Sequence, residues 1–277
     1  MKSELTQDIQ EQSEERNVIF DSDGIVYLSC YKHRETNNIE LMYADFFMRI
    51  HAIETEIWKS YTVKDTLIAL TSNKNFRDKL TDKWKAYRKD KPEAELDEKQ
   101  LEAQVNARKL RDQVKEVKKL LAQRLNKSLV IVSSVAEADD ICIDRSKQGW
   151  LVVAMDSDVI NQSRSPTFNY HKKHWKWEDP NDEEDVFKSI VHLSITSGHN
   201  GKFGVKGKGK VFATKFIDEV MMEKKTFNDY VDLFPTPEEA LLNFRLASCG
   251  QVSKGKLTLV GIEDIAEGFD EYMKSPF

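Results

Sequence analysis

The chain carries 277 residues, 40% of them hydrophobic, with a formal net charge of −5; this supplies core for one large domain and a smaller one beside it. No apolar run approaches the roughly 20 residues of a membrane span, no basic-then-apolar leader opens the chain, and Cys30, Cys142 and Cys249 follow no CxxC pattern, which excludes an integral membrane helix, a secretory signal, a disulfide framework and a structural zinc site. A soluble cytoplasmic protein with reduced thiols and no membrane partner is expected, and basic stretches at 74–91, 106–124, 171–176 and 202–215 leave room for a locally basic surface despite the acidic sum.

Residues 1–16 are polar and acidic without apolar periodicity and are expected to form a mobile tail. Folding begins with a strand at 17–21 and a helix around 24–35. A longer helix near 40–60 follows, with an apolar stripe of Leu41, Phe46, Phe47, Ile50, Ile53 and Trp58. Thr66 to Leu70 reads as a second buried strand. From Glu93 to Arg124 the abundance of Glu, Lys, Gln, Ala and Leu predicts one long helix or two joined ones.

Strands at 128–132 and 150–155 then flank a helix that opens in Glu137-Ala138-Asp139-Asp140. This alternation predicts an α/β fold with a mainly parallel central sheet flanked by helices and right-handed crossovers. A hairpin is expected from Thr167 to Trp177. After Pro180 the chain turns helical, at roughly 183–194, 211–223, 236–247 and 262–274. The last helix is amphipathic and expected to pack on its own domain, with docking to a polymerase or single-strand-binding protein as the other reading.

Three acidic clusters each follow a strand-like run: Asp21 with Asp23, the set Glu137, Asp139 and Asp140, and Asp156 with Asp158. Carboxylates at the C-terminal ends of parallel strands converge in the crevice where α/β sheets place their chemistry. Hard oxygen ligands gathered there suit magnesium or manganese, and so many like charges need a cation between them. A metal-dependent phosphoryl-transfer site is predicted, although any one of these residues read alone is a helix cap.

Two basic constellations accompany it. Phe76-Arg77 and Trp84-Lys85-Ala86-Tyr87-Arg88 combine cations that grip phosphate with rings that stack on bases. Gly204-Val205-Lys206-Gly207-Lys208-Gly209, followed by Lys210, brings backbone amides and lysines to a helix N-terminus, a phosphate grip without sequence readout. It lacks the GKS or GKT ending of a P-loop.

In this order and spacing the motifs resemble the 5′ nuclease superfamily, which includes flap endonucleases and bacteriophage 5′→3′ exonucleases, over about Asn17 to Ile217. Ile19-Phe20-Asp21 is similar to its first strand, Phe76-Arg77 and Lys85 with Arg88 to its FR and YKxxR signatures, Glu137 to Asp140 to its EADD motif, Asp156-Ser157-Asp158 to its paired aspartates, and Gly204 to Gly209 to its helix-three-turn-helix. The resemblance implies a PIN-like core over 17–182 with a helical arch about 89–126, and a DNA-binding subdomain over 183–277 with the helical hairpin about 195–222. It implies a metal-binding set of Asp21, Glu137, Asp139, Asp140, Asp156 and Asp158, with Asp21, Asp139 and Asp156 also catalytic. Lys85 and Arg88 would steer the scissile phosphate. Arg77, Trp84, Lys85, Arg88, Gly204, Lys206, Gly207, Lys208, Gly209 and Lys210 would contact nucleic acid.

Two Mg2+ or Mn2+ ions are implied, with a K+ ion at the helical hairpin. The second divalent ion should be weakly held, because Ser72, Ser197 and Asn200 stand where the family has carboxylates. The implied substrate is DNA with a 5′ flap or free 5′ end, including RNA-primed ends, handled by a monomer in replication, with a replication protein as a further partner. A non-catalytic binder of DNA structures and an RNA-cutting PIN-like nuclease are the alternatives. The helical hairpin speaks against the latter, since grip on a duplex backbone suits DNA structure recognition.

Overall fold

A computed structural model describes residues 14–72, 75–81, 90, 92–171, 174–196, 204–253 and 256–274 of the chain. Trp84, Lys85, Arg88, Ser197, Asn200 and the first 13 residues of the expected tail lie outside the described residues. Six strands form the central sheet: β1 (Glu15–Asp21), β2 (Thr62–Thr71), β3 (Val130–Ser133), β4 (Leu151–Ala154), β5 (Thr167–His171) and β6 (His174–Glu178). Their order is β3-β2-β1-β4-β5-β6. All neighbours are parallel except the β5–β6 hairpin. Chain direction across the sheet reverses between β1 and β4, so their C-terminal ends flank the crevice where α/β sheets bind ligands.

β1 starts at Glu15 rather than Asn17, because Glu15 and Arg16 pair with Thr62 and Val63 before the register shifts ahead of Val18. Its Val18, Ile19 and Phe20 are fully buried, as expected of a strand covered on both faces. On one face lie α1 (Asp23–His33) and α2 (Ile39–Ile57). Asn38 caps α2 by accepting from the Leu41 amide at 3.0 Å. Met42, Phe46, Ile50, Ile53 and Ile57 form its buried stripe, while Leu41 and Trp58, read as part of that stripe, are exposed.

α3 (Phe76–Leu80) is a single short turn that the sequence reading did not anticipate; Asn75 and Asp78 close it with a capping box. The 93–124 region forms a 3-10 turn at Glu93–Glu95 and one helix, α4 (Glu98–Arg124), opened by a capping box between Asp97 and Gln100. Only the second half of α4 is packed, through Leu110, Gln113, Val117 and Leu121, and Val105 in its first half is exposed. α5 (Ala138–Ser146) covers the opposite face of the sheet through Ile141, Cys142 and Ile143. The one-turn α6 (Ser157–Ile160) follows β4.

A second core belongs to the helices α7 (Glu183–Ile195), α8 (Lys210–Met221), α9 (Phe227–Val231), α10 (Pro237–Ala247) and α11 (Ile262–Lys274). Val191, Ile195, Phe216, Tyr230, Phe244 and Phe269 fill it. The buried Tyr230 hydroxyl donates to Ser194 at 3.0 Å, which satisfies a polar group that would otherwise be costly there. Ile265 and Phe269 bury α11 on this core, the self-packed outcome expected of that helix. A two-residue hairpin, β7 (Val252–Ser253) with β8 (Lys256–Leu257), precedes it. Buried Gln162 ties the two cores together, donating to the Ala247 carbonyl and accepting from the Cys249 amide. Among the described residues, no helix is long and apolar enough to cross a membrane.

Candidate metal centre and nucleic-acid interface

Asp21 ends β1, Asp156 follows β4 as the N-cap of α6, and Asp139 stands in the first turn of α5. The sheet thus brings three residues spread over 136 positions of sequence to one crevice. Asp21 is 4% exposed, and its Oδ1 has no hydrogen-bond partner. Burial, then the charges of Asp23 and Asp156, push its carboxyl up to about 8. Burial followed by the charges of Asp21, Glu137 and Asp156 raises Asp139 as well.

An orphaned buried carboxylate oxygen on a group coupled by charge to two more carboxylates is a donor set that fits a hard divalent cation. Among the described residues, no three Asp, Glu, His or Cys side chains are grouped closely enough to cage an ion alone. The fit is therefore to an ion of the magnesium kind, which takes one or two carboxylates and keeps much of its water. Asp158 lies in the first turn of α6, where its backbone amide donates to Asp156 at 3.1 Å.

Two expected site residues are committed elsewhere. Arg77 was read as a phosphate contact, but it is 2% exposed. Its Nη1 and Nη2 donate to the two oxygens of Asp140 at 2.7 and 2.9 Å, and Nη2 also donates to the Ser248 carbonyl. Asp140 was read as a metal ligand. Its Oδ2 also accepts from the Glu137 amide and its Oδ1 from the Gly250 amide, so every strong direction is used. Glu137 leans the same way, with Oε1 accepting from Asn75 at 3.0 Å and Oε2 from Arg77 at 3.4 Å. The tetrad thus divides: Asp139 turns to the crevice, and Asp140 anchors the loop beneath it.

The end of β2 at Thr71, just before Ser72, is neutral and tied into the crevice. Thr71 donates its amide to Asp23 Oδ1 at 3.1 Å, accepts the Ala138 amide on its hydroxyl at 2.8 Å, and accepts Lys118 Nζ on its carbonyl at 3.2 Å. Lys118 also pairs with Asp23 Oδ1 at 2.6 Å. Sequence reasoning missed Lys118 because it sits in a run of charged residues; its place beside Val117 on the packed half of α4 was the available signal. Tyr170 was missed too. Its hydroxyl donates to the Asp21 carbonyl at 3.2 Å, and a Cβ on Gly24 would approach that hydroxyl to 2.7 Å, so a side chain there would have to displace it.

Among the described residues of the helical hairpin, Gly204 has φ +92°, and a Cβ there would lie 2.6 Å from the Thr196 carbonyl oxygen. Its amide donates to Asn243 Oδ1 at 2.6 Å, and the Val205 amide to the Ile195 carbonyl at 2.8 Å. The turn is thereby pinned to both α7 and α10. Gly207 also takes a positive φ, and Gly209 caps α8 without a side-chain hydrogen bond. Lys206, Gly209 and Lys210 are exposed, Lys208 lies over the Phe212 ring at 4.2 Å, and the first turn of α8 holds no acidic residue. Free amides, a positive dipole end and lysines suit an anion such as phosphate.

No family model matches the sequence, and no curated protein matches it. Among solved structures, the bacteriophage T5 D15 protein co-crystallised with metal ions superposes with a TM-score of 0.60 at 14% identity, covering 94% of this chain and 99% of that one. The T5 flap endonuclease in complex with DNA and metal ions gives 0.60 at 15% identity, over 94% and 98%. The T5 5′-exonuclease with bound zinc gives 0.57 at 14%, over 94% and 99%. The chain shares the fold of these structures: a six-stranded, mostly parallel sheet flanked by helices.

Proposed function

We propose that this protein is a divalent-metal-dependent, structure-specific 5′ nuclease that hydrolyses phosphodiester bonds at 5′ flaps or free 5′ ends of DNA. One observation carries the reading: the Asp21 Oδ1 is buried and unpartnered at the sheet's switch point, on a carboxyl that feels the charge of Asp156 and whose own charge acts on Asp139. A buried carboxylate oxygen without a partner is expensive and is found where function demands it.

Asp21, Asp139 and Asp156 are the residues that would hold Mg2+ or Mn2+, with Asp158 beside them. When bound, such ions activate water and stabilise the leaving oxygen of an in-line displacement. The chain's own part is to hold these oxygens rigidly and to grip the substrate. The Arg77–Asp140 pair fixes the start of α5, and so the placement of Asp139. The Gly204–Lys210 turn grips the duplex backbone away from the scissile bond. Lys85 and Arg88, just after α3, are proposed to steer the scissile phosphate, with Trp84 stacking on a base.

Purified protein incubated with a 5′-flap duplex in magnesium, in manganese and in chelator tests this, beside an Asp139→Ala plus Asp156→Ala control. Metal-dependent cleavage absent from the control is the expected result. Tight flap binding without cleavage would instead favour a DNA-structure binder on the same fold, a reading supported by the neutral Thr71-Ser72 at the end of β2.

A further inference from the structure

Strands β1 and β4 both deliver carboxylates to the crevice, but β2, the third strand beside it, ends in the neutral Thr71 and Ser72. Against that neutral end lies an ammonium from a distant helix. Lys118, on α4, places Nζ 2.6 Å from Asp23 Oδ1 and 3.2 Å from the Thr71 carbonyl oxygen. This is not a loose surface pair: the Lys118 side chain is 23% exposed and that of Asp23 32%. The same Asp23 oxygen also accepts the Thr71 amide. Lys118 is held there by the packed half of α4, where Val117 and Leu121 are fully buried.

We propose that Lys118 is a built-in cation that takes the place of a divalent ion at the Asp23 side of the crevice. The inference rests on the reading of Asp21, Asp139 and Asp156 as a metal centre. An ion approaching Asp23 would meet a fixed positive charge and an oxygen already bonded twice. An ion held at Asp21, Asp139 and Asp156 would thus be left as the principal one. The ammonium supplies part of the charge a second ion would bring, without leaving when metal is scarce. Its neighbours within the crevice are Asp21, Asp23 and the Thr71 carbonyl.

Binding of Mn2+ to the full-length protein without DNA, followed by calorimetry and by the electron paramagnetic resonance of free ion, tests this apart from catalysis. Lys118→Met and Lys118→Gln remove the charge, and Lys118→Arg keeps it. Both neutral variants are expected to gain an additional bound ion, or to bind Mn2+ at least about tenfold more tightly, as removal of a unit charge a few ångströms away requires; the Arg variant is expected to match the parent. Thermal melts confirm that each variant is folded, and the Gln variant, which keeps a hydrogen-bond donor, serves if the Met variant is not. Superimposable isotherms for parent and neutral variants, including no binding by any of them, overturn the proposal. Failure of flap cleavage with the binding difference intact sinks the nuclease reading alone.

Discussion

The guanidinium of Arg77 meets the carboxylate of Asp140 in two parallel hydrogen bonds of 2.7 and 2.9 Å, with both side chains essentially closed to water. The two residues are 63 positions apart. Their pairing fastens α3 to the N-terminus of α5, and the Ser248 carbonyl and Gly250 amide bind the C-terminal segment to the same point. A fork-shaped donor matched to a carboxylate suits this role, which a point charge such as lysine fills poorly.

Arg77→Ala is accordingly expected to act on stability before it acts on DNA. Removing one partner of a buried pair strands the other charge, at a cost of about 3–5 kcal/mol. Urea denaturation measures it, and Arg77→Lys should recover only part of the loss. If Arg77→Ala left the midpoint unchanged while weakening flap binding, the phosphate-contact role first read from the sequence would be restored.

Asp21 gives a pH dependence in chelator. Burial and the charges of Asp23 and Asp156 raise its carboxyl to about 8 in the folded chain, against about 3.9 unfolded. The folded state therefore holds the proton more tightly. Its contribution to stability is fully present below the unfolded value and is lost as the pH rises toward 8. Asp21→Asn should flatten that decline and, at pH 9 without metal, be more stable than the parent by at least about 2 kcal/mol, the scale of a buried polar group left without a partner. Saturating Mg2+ should flatten the parent's decline in the same way. A parent melting temperature that is level from pH 5 to pH 9 in chelator would contradict the geometry of the crevice.

The hairpin lysines are expected to behave as backbone contacts. Lys206→Ala with Lys210→Ala removes two exposed charges beside the uncapped start of α8. Duplex affinity should fall equally for unrelated sequences, and the slope of log K against log salt should become shallower by about one unit per lysine. Folding stability should shift by no more than about 0.5 kcal/mol, as surface substitutions do. Fluorescence anisotropy at several salt concentrations measures the slope; an unchanged slope would remove this turn from the interface.

The sequence by itself determined the elements that local physics dictates. Buried parallel strands announce themselves as short apolar runs, so β1, β2, β4 and the β5–β6 hairpin were legible to within a few residues, as were α7, α8, α10 and α11. The acidic residues after the strands and the glycines of the hairpin were legible for the same reason: their chemistry is carried by residue type and by position relative to an element. What only the tertiary structure decided is which partner each charge takes. Asp139 and Asp140 are adjacent in sequence, but the α5 backbone points one at Asp21 and the other at Arg77. Lys118 looked like any lysine of a solvated helix until the packing of Val117 and Leu121 carried it to Asp23. Charge interactions depend on distance and on exclusion of water, and both are set only when strands and helices far apart in the chain are brought together.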